Sequence, residues 1–389
     1  MLFRSTIYLD HAATTPINRA ALEALNNQVQ KLGNASSVHN QGRSVRKDVE
    51  DARHKISELV GANPAEVIFT ASGTEANNLA LKGFYWQSGK KVIVTSAFEH
   101  HAVLDPIKWL VEHQGAEAIY VPIKRGGFID LDYLQEIINN RGNEIAVISI
   151  MHSNNELGAI QPIDQVVKMS RSIPVHTDAV QSFGKIPFNF SELGVAAATI
   201  SAHKVGGPLG VAALILKHGI DLAPLLHGGG QEREIRSGTL NAPAIVSFAA
   251  GASAAVAERE ANFKKIRALR DHMLSQLQRV IPDIQINSPV DPALPGIINI
   301  SIPGTESDAL LLLLDSEGIS ASAGSACSAG VPRPSHVLIA MGLSEELADA
   351  SLRISIGASN TFAEIDQVIS VMPSVVERAR SAFAVGKLS

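Results

Sequence analysis

The sequence has one cysteine, no long apolar run and no basic cluster, and each shortage excludes a class of protein. Cys327 is the only cysteine among 389 residues, so no internal disulfide can form and a reducing compartment is indicated. The longest uninterrupted apolar run in the C-terminal third, residues 309–314, falls far short of the ~20 apolar residues of a membrane helix. Residues 1–10 contain no apolar signal-peptide core. We therefore expect a soluble, cytoplasmic protein that spans no membrane.

The charge pattern and the histidines exclude two further classes. The formal net charge is −5, and no run of Lys and Arg is interleaved with aromatic side chains, which argues against a nucleic-acid partner. None of the 13 histidines belongs to an HExxH motif or a Cys/His cluster, so we predict no metal site. With 46% hydrophobic residues, a chain of this length can bury two or three sizeable cores.

Strand-like and helix-like segments alternate through the first half of the chain. Short apolar runs predict strands, and apolar side chains three and four residues apart predict the helices between them. This order predicts βαβ units in an α/β fold with a mostly parallel sheet, in which ligands bind beyond the carboxyl ends of the strands. The predicted strands are residues 67–70, 92–95, 118–123, 145–150 and 175–178.

The second half of the chain changes character. Residues 244–280 predict one long alanine-rich helix, and a shorter α+β segment follows it. We therefore predict a large domain over residues 16–255 and a small domain formed by residues 1–15 and 256–389, with the long helix as the connection.

A single lysine lies between two apolar runs, 196–200 and 211–216, which predict strands. Lys204 falls in a turn rich in glycine and proline, where an ammonium group is unusual unless it is paired or reactive. A partly desolvated lysine loses its proton more readily and becomes a nucleophile for aldehydes. Taken alone, Lys204 is more simply interpreted as a surface lysine on a hairpin.

Other strand ends carry side chains that complement such a lysine. Gly73 and Thr74 open a helix whose free amide groups suit a phosphate, although a plain helix cap is the simpler interpretation. His100 could stack on a flat ring or be a satisfied loop histidine. Asp178 ends a buried strand and needs a partner, either a protonated ring nitrogen or a helix N-terminus. Together with Lys204, these side chains match what pyridoxal phosphate requires.

Several motifs also resemble those of known enzymes. Two of them look like the class V aminotransferase signature, and three resemble cysteine desulfurases of the iron–sulfur-cluster and nitrogenase-associated type. The resemblance extends from Tyr8 to Ser355 and implies a fold-type I PLP-dependent transferase. The motifs are HTDAVQS at 176–182 and SAHK at 201–204, then GGGQE at 228–232, RSGT at 236–239 and GSAC at 324–327.

The resemblance implies a role for each residue of the cofactor site. Lys204 would hold pyridoxal phosphate covalently and later move the substrate's Cα proton. Asp178 would keep the pyridine nitrogen protonated, and His100 would stack on the ring. The remaining implied contacts are Gln181 and Asn154 near the ring hydroxyl, and Gly73, Thr74, Ser201 and His203 at the phosphate.

Substrate and subunit contacts follow from the same resemblance. Arg353 would bind the substrate carboxylate through its forked guanidinium, with Asn154 beside the substrate. A simpler interpretation makes Arg353 a strand-edge arginine in a surface ion pair. Thr239 would reach the cofactor phosphate of a neighbouring subunit, which implies a homodimer with shared active sites.

Cys327 is what separates a cysteine desulfurase from other class V enzymes. Its small neighbours would leave the thiol accessible, although a lone cysteine is often an inert apolar side chain. The resemblance implies that Cys327 takes sulfur from L-cysteine as a persulfide, with release of L-alanine. The sulfur would pass to an acceptor protein such as an iron–sulfur scaffold. The spacing from Cys327 to Arg353 resembles the branch with a long catalytic loop.

Two alternatives stay open at the level of sequence. An aminotransferase or a selenocysteine lyase of class V would share Lys204, Asp178 and Arg353 without needing Cys327. A non-catalytic assembly scaffold would have no chemical need for all of these groups. The sequence identifies neither the sulfur acceptor nor the preference between cysteine and selenocysteine.

Overall fold

The computed structural model describes residues 6–323 and 334–386. Its elements up to residue 216 are β1 (Ile7–Tyr8), α1 (Arg19–Val29), α2 (Asn40–Val60), β2 (Val67–Thr70), α3 (Gly73–Ser88), β3 (Val92–Ser96), α4 (His101–Gln114), β4 (Glu117–Val121), β5 (Ile123–Lys124), β6 (Phe128–Ile129), α5 (Leu131–Arg141), β7 (Ile145–Ser149), α6 (Ile163–Ser170), β8 (Val175–Asp178), α7 (Phe190–Leu193), β9 (Ala197–Ser201) and β10 (Ala212–Leu216). Those that follow are α8 (Ala242–Val280), β11 (Gln285–Ile286), β12 (Ile297–Ser301), α9 (Ser307–Ser316), β13 (Ile319–Ser320), α10 (His336–Ala340), α11 (Glu345–Asp349), β14 (Ser351–Ser355) and α12 (Phe362–Gly386).

A central sheet organises the first 216 residues. Within the described part of the chain its strand order is β2-β10-β9-β8-β7-β3-β4. Strand β10 runs antiparallel to both neighbours, and the other pairs are parallel. The carboxyl ends of β2, β3, β7, β8 and β9 therefore share one edge. Alternate residues face opposite cores: Val67 and Phe69 pack on the side of α2, and Ile68 packs against α3 and α4.

Helix α2 shows how the sequence pattern determines a buried face. Val45, Val49 and Ile56 recur at helical spacing and are all buried against the sheet. The helix begins after His39, whose side chain accepts a hydrogen bond from the amide of the third helical residue. It ends at Gly61, whose φ of 67° lies in the left-handed region that favours glycine.

Helix α8 connects two hydrophobic cores. Phe248 packs into the core of the central sheet, whereas Leu269 and Met273 pack into a second core with β12, β14, α9 and α12. Strand β1 pairs with β13 in this second region, and Asp10 bridges to Ser355 of β14. The N-terminal segment therefore runs from the second core to the edge of the central sheet.

The predicted α/β fold with a mostly parallel sheet and a smaller α+β part is confirmed. The predicted helix over 244–280 is α8, and the predicted strand over 118–123 ends at Val121, where Pro122 lacks a backbone donor. The division into domains at residues 15 and 255 stays a prediction. In the described residues, no helix has an apolar stretch long enough to cross a bilayer.

Candidate active site

The shared edge of the central sheet brings most of the predicted cofactor residues together. Parallel strands end at the same edge, so residues that are far apart in sequence meet there. Asp178 and Ser201 end neighbouring strands that pair in register, and a 3-10 turn over Ala202–Lys204 follows directly. Gly73 opens α3 after β2, and His100 immediately precedes α4.

Lys204 is a recessed amine that is held by backbone oxygens. Its Nζ donates to the carbonyls of Ala12 and Ala13 at 2.5 and 2.6 Å. Among the described residues, no carboxylate lies within ion-pair distance of it. Burial, followed by the positive charge of Arg353, lowers the pKa of Lys204 to about 8. The amine is therefore much closer to its neutral, nucleophilic form than an ordinary lysine.

Asp178 has firm hydrogen bonds on both oxygens. Oδ1 accepts from the amide of Val180 at 2.9 Å, and Oδ2 accepts from Nδ2 of Asn77 at 2.7 Å. The residue is 6% exposed. Because each carboxylate oxygen can accept more than one hydrogen bond, Asp178 can still bind a protonated ring nitrogen.

His100 caps the start of α4. Its Nδ1 accepts from the amide of Ala102 at 3.0 Å, so the neutral ring carries its proton on Nε2. Desolvation by the surrounding protein lowers the pKa of His100, although the negative charge of Asp178 acts in the opposite direction. His101 instead contacts the ring of His336, with 5.0 Å between centroids.

The start of α3 forms the part of the edge that suits an anion. The first amide groups of a helix have no intrahelical partner, and Ser72 satisfies only that of Glu75, at 3.1 Å. A Cβ on Gly73 would lie 3.2 Å from Val180 and 3.8 Å from Ser201 Cβ, so the helix begins tightly against the ends of β8 and β9. Free amides of Gly73 and its successor can therefore bind a phosphate.

His203 lies in the 3-10 turn that follows β9. Its Nδ1 is 3.2 Å from Thr14 Oγ1. Burial, followed by the charges of Lys204 and Lys185, lowers the pKa of His203 to about 4. The ring is therefore neutral at physiological pH and offers a hydrogen bond rather than a charge.

The donor set fits a small phosphorylated aldehyde with a basic aromatic ring. A low-pKa amine can condense with the aldehyde, a buried carboxylate can hold the ring nitrogen, an imidazole can cover the ring face, and a helix start can bind the phosphate. These groups are those of Lys204, Asp178, His100 and Gly73.

Arg353 lies on β14 and reaches the same region from the second core. It is 3% exposed, and Nη2 pairs with Asp10 Oδ1 at 2.7 Å. Nη1 donates to the carbonyl of Asn155 at 3.2 Å. The guanidinium is therefore buried and oriented by the protein, which contradicts the simpler interpretation of a strand-edge arginine in a surface ion pair.

Asn154 and Gln181 are both engaged with the protein. Asn154 Nδ2 donates to Phe98 O at 2.9 Å, and its Oδ1 accepts the amides of Glu156 and Leu157 at 2.8 and 2.9 Å. Asn154 therefore shapes its own turn, and its contact with cofactor or substrate stays a prediction. One Nε2 hydrogen of Gln181 binds the carbonyl of Ala12 at 2.8 Å, and within the described residues the second has no acceptor.

Three predicted residues remain, namely Thr239, Thr74 and Cys327. Thr239 is exposed in the loop before α8, and its proposed target is a second subunit. Thr74 is exposed at the start of α3. Cys327 lies outside the described residues, so the position of its thiol is not part of this geometry.

Several groups at the edge were not predicted from the sequence. The carbonyls of Ala12 and Ala13 bind Lys204, Asn77 binds Asp178, and Lys185 binds Gln181. Asn77 lies one helical turn after Gly73, which is the only sequence signal that could have indicated it. Backbone carbonyls carry no residue-specific signal at all.

Glu99 is a further unpredicted group. Oε1 accepts from Ser96 Oγ at 2.6 Å and from the amide of Met151 at 2.9 Å. Burial raises the pKa of Glu99 to about 8, so the carboxyl group keeps its proton at neutral pH. It adds a hydrogen-bonded acid, rather than a negative charge, next to His100.

Comparisons with known proteins identify the family to which the chain is similar. The family described as "Aminotransferase class-V" matches residues 7–368. "IscS-like cysteine desulfurase" of Mycobacterium tuberculosis is 46% identical over 383 residues, which cover 96% of this chain and 97% of that protein. "Cysteine desulfurase IscS" of Dictyoglomus turgidum is 41% identical over 380 residues, with 96% and 95% covered.

Solved structures share the architecture over nearly the whole chain. A structure described as "NIFS-LIKE PROTEIN" has a TM-score of 0.89 and 34% identity, and the match covers 96% of this chain and 99% of that one. "SspA in complex with cysteine" has a TM-score of 0.77 and 33% identity, covering 92% and 100%.

Proposed function

Because this chain belongs to the cysteine desulfurases of the class V aminotransferase family, we propose that it uses pyridoxal phosphate to convert L-cysteine into L-alanine and holds the sulfur on Cys327 as a persulfide. The observation that carries the proposal is the amine of Lys204, whose pKa is lowered to about 8 at the edge where Asp178 and the start of α3 also lie. That combination supplies both an imine-forming group and a base.

Pyridoxal phosphate supplies an electron sink that stabilises negative charge on the substrate when it is bound. We assign its aldehyde carbon to Lys204, its ring nitrogen to Asp178 and its ring face to His100. Its phosphate would bind at the start of α3, with Ser201 and His203 beside it. One further contact to the phosphate would come from Thr239 of a second subunit.

Lys204 would take the proton from the substrate's Cα. A pKa near 8 in place of 10.5 gives roughly 300-fold more neutral amine at a given pH below both values. The carbonyls of Ala12 and Ala13 would then stabilise the ammonium form that results. The residue can therefore act as a base at physiological pH without leaving an unsolvated charge behind.

The substrate carboxylate would bind to Arg353. A guanidinium holds a carboxylate through two parallel hydrogen bonds, and the ion pair with Asp10 at 2.7 Å orients it beforehand. Pre-orientation reduces the entropy lost on binding. Asn154 lies in the turn that also supplies the carbonyl contact to Arg353 and would border the substrate.

The sulfur would move by attack of the Cys327 thiolate on the substrate's sulfur. A sulfur–sulfur bond forms as the carbon–sulfur bond breaks, and the electron pair stays on the carbon. That carbon then takes a proton, so that alanine leaves and Cys327 keeps a persulfide. His100, neutral and protonated on Nε2, would exchange protons with the sulfur groups in the cleft.

The partners follow from the same proposal. The enzyme would be a cytoplasmic homodimer in which Thr239 contacts the cofactor of the second subunit. Its persulfide would pass to an acceptor protein such as an iron–sulfur scaffold. The loop bearing Cys327 would belong to the small domain predicted over residues 1–15 and 256–389.

The test is anaerobic turnover of L-cysteine in the presence of a reductant, with alanine and sulfide measured together. We expect equal yields from the unmodified protein and none from Cys327→Ala, which should still bind the cofactor. Alanine and sulfide from Cys327→Ala would refute the role of Cys327.

Other products would identify the alternatives. A keto acid together with an aminated acceptor would indicate an aminotransferase, and turnover restricted to selenocysteine would indicate a lyase. Absence of any absorbance from bound cofactor would favour a non-catalytic scaffold.

A further inference from the structure

A second half-buried lysine lies next to the site and has no part in the chemistry above. Lys185, in the turn after β8, donates from Nζ to Gln181 Oε1 at 2.9 Å. Among the residues that the structure describes, no carboxylate lies within ion-pair distance of this ammonium. Burial, followed by the charges of Lys204 and Arg353, lowers the pKa of Lys185 to about 7. A cation in such a position costs free energy, so packing alone would favour an apolar side chain.

Gln181 connects the two lysines. Its Nε2 donates to the carbonyl of Ala12 at 2.8 Å, and Lys204 Nζ donates to the same oxygen at 2.5 Å. A carbonyl can only accept, and an ammonium can only donate. Ala12 and Lys185 therefore favour the same orientation of the Gln181 amide, with the nitrogen toward Ala12 and the oxygen toward Lys185.

We propose that Lys185 is a positioning residue that orients the amide of Gln181 so that its second N–H donates to the ring oxygen of pyridoxal phosphate. The inference rests on the proposed function, because it assumes this cofactor at the edge of the sheet. One of the two Nε2 hydrogens is bound by Ala12, so the second is the donor that remains. A reversed amide would present an oxygen to the negatively charged ring oxygen and would repel it.

Two substitutions separate the ammonium from the alkyl stem of Lys185. Lys185→Met keeps most of the apolar length and removes the donor, whereas Lys185→Arg keeps a donor and the charge. Lys217→Met is the matched control, because Lys217 is an exposed lysine at the end of β10. A purely structural role would be served by the stem and would be retained in Lys185→Met.

The first measurement is the absorbance of the bound cofactor as a function of pH in the holoenzyme. Without the Gln181 donor the ring oxygen becomes more basic, so we expect the transition to move upward by roughly one pH unit in Lys185→Met. Lys185→Arg should restore it, and Lys217→Met should leave it unchanged. The other charged or titratable groups near Lys185 are Lys204, Arg353, His203 and His11.

A double-variant cycle separates orientation from charge. If Lys185 acts through Gln181, most of the shift caused by Lys185→Met should disappear in a Gln181→Leu background. A shift of equal size in both backgrounds would overturn the proposal, because the loss of a nearby charge would then explain it entirely.

A second measurement requires no cofactor. With glutamine labelled by ¹⁵N in its side chain, the Gln181 amide of the full-length protein should exchange hydrogen slowly, and Lys185→Met should make that exchange at least tenfold faster. Unchanged exchange refutes the Lys185–Gln181 contact whether or not a cofactor binds. Absence of cofactor absorbance in the unmodified protein would instead refute the proposed function and, with it, the contact to the ring oxygen.

Discussion

Two largely enclosed basic side chains, Arg53 and Lys204, occupy contrasting environments in the same protein. Arg53 of α2 binds Glu232 through two hydrogen bonds of 2.8 and 2.7 Å, and the Glu232 side chain is 1% exposed. Although burial opposes it, this pairing raises the pKa of Arg53. Lys204 has backbone carbonyls in place of a carboxylate, and its pKa falls to about 8.

The difference shows that a carboxylate partner distinguishes a basic side chain with a structural role from one with a chemical role. A buried cation with a bidentate carboxylate keeps its charge and ties distant segments together, here α2 and the loop that precedes α8. A buried cation without one is destabilised in its charged form, so its neutral form is more easily reached, and at Lys204 that form is the nucleophile. Substitution of the two residues should thus affect different properties.

The largest effect is expected for Lys204→Ala. Loss of the base should lower alanine formation from L-cysteine by at least roughly 1,000-fold, in keeping with the size of general-base contributions and the loss of covalent cofactor attachment. Borohydride should fix cofactor to the unmodified protein and not to the variant. The urea midpoint should change much less than in Arg53→Met, and turnover within tenfold of the unmodified protein would contradict the assignment.

Arg53→Met should show the opposite pattern. It leaves Glu232 as an uncompensated buried charge, so the free energy of unfolding should fall by about 3–5 kcal/mol. Arg53→Met/Glu232→Gln should recover most of this loss, since the amide oxygen can still accept the Phe69 amide that Glu232 binds at 2.8 Å. Urea denaturation measures the stability of both variants. Equal stability of Arg53→Met and the unmodified protein would contradict a structural role of the Arg53–Glu232 ion pair.

The sequence was sufficient to predict the edge at which these reactive groups meet. Lys204, Asp178 and His100 each lie at or shortly after the end of a strand predicted from the sequence, and parallel strands bring such positions together whatever their separation along the chain. The contacts that determine their chemistry were not predictable in this way. Ala12 lies 192 residues before Lys204 and contributes a carbonyl that every residue type possesses.

Whether a basic side chain is paired with a carboxylate was equally hard to predict from the sequence. Arg53 and Lys204 are both basic residues with an alanine close by in the sequence, and nothing local indicates that only one of them meets a carboxylate among the described residues. Glu232 approaches from 179 residues away, along a loop of glycine and polar residues. Lys185 was missed for the same reason, because the absence of a carboxylate beside it in the described part of the chain is a property of packing.

The smallest effect concerns the pH dependence of stability that an uncompensated lysine produces. The folded-state pKa of Lys185, about 7, lies below the ~10.4 of an unfolded chain. Below pH 7 both states bind the proton, and the folded state bears the cost of the buried charge. Between pH 7 and 10 the unfolded state binds more protons, so this residue's contribution to the free energy of unfolding rises with pH.

Lys185→Met removes that contribution. Relative to the unmodified protein, the variant should therefore be more stable at pH 6.5 than at pH 9.5, with a difference between the two pH values of about 1–3 kcal/mol after allowance for partial solvent screening. Urea denaturation of the cofactor-free proteins measures it, with Lys217→Met as the control that should show no pH-dependent difference. A constant difference across this range would mean that Lys185 keeps its proton when folded, and the environment of Lys185 would then be as well compensated as that of Arg53.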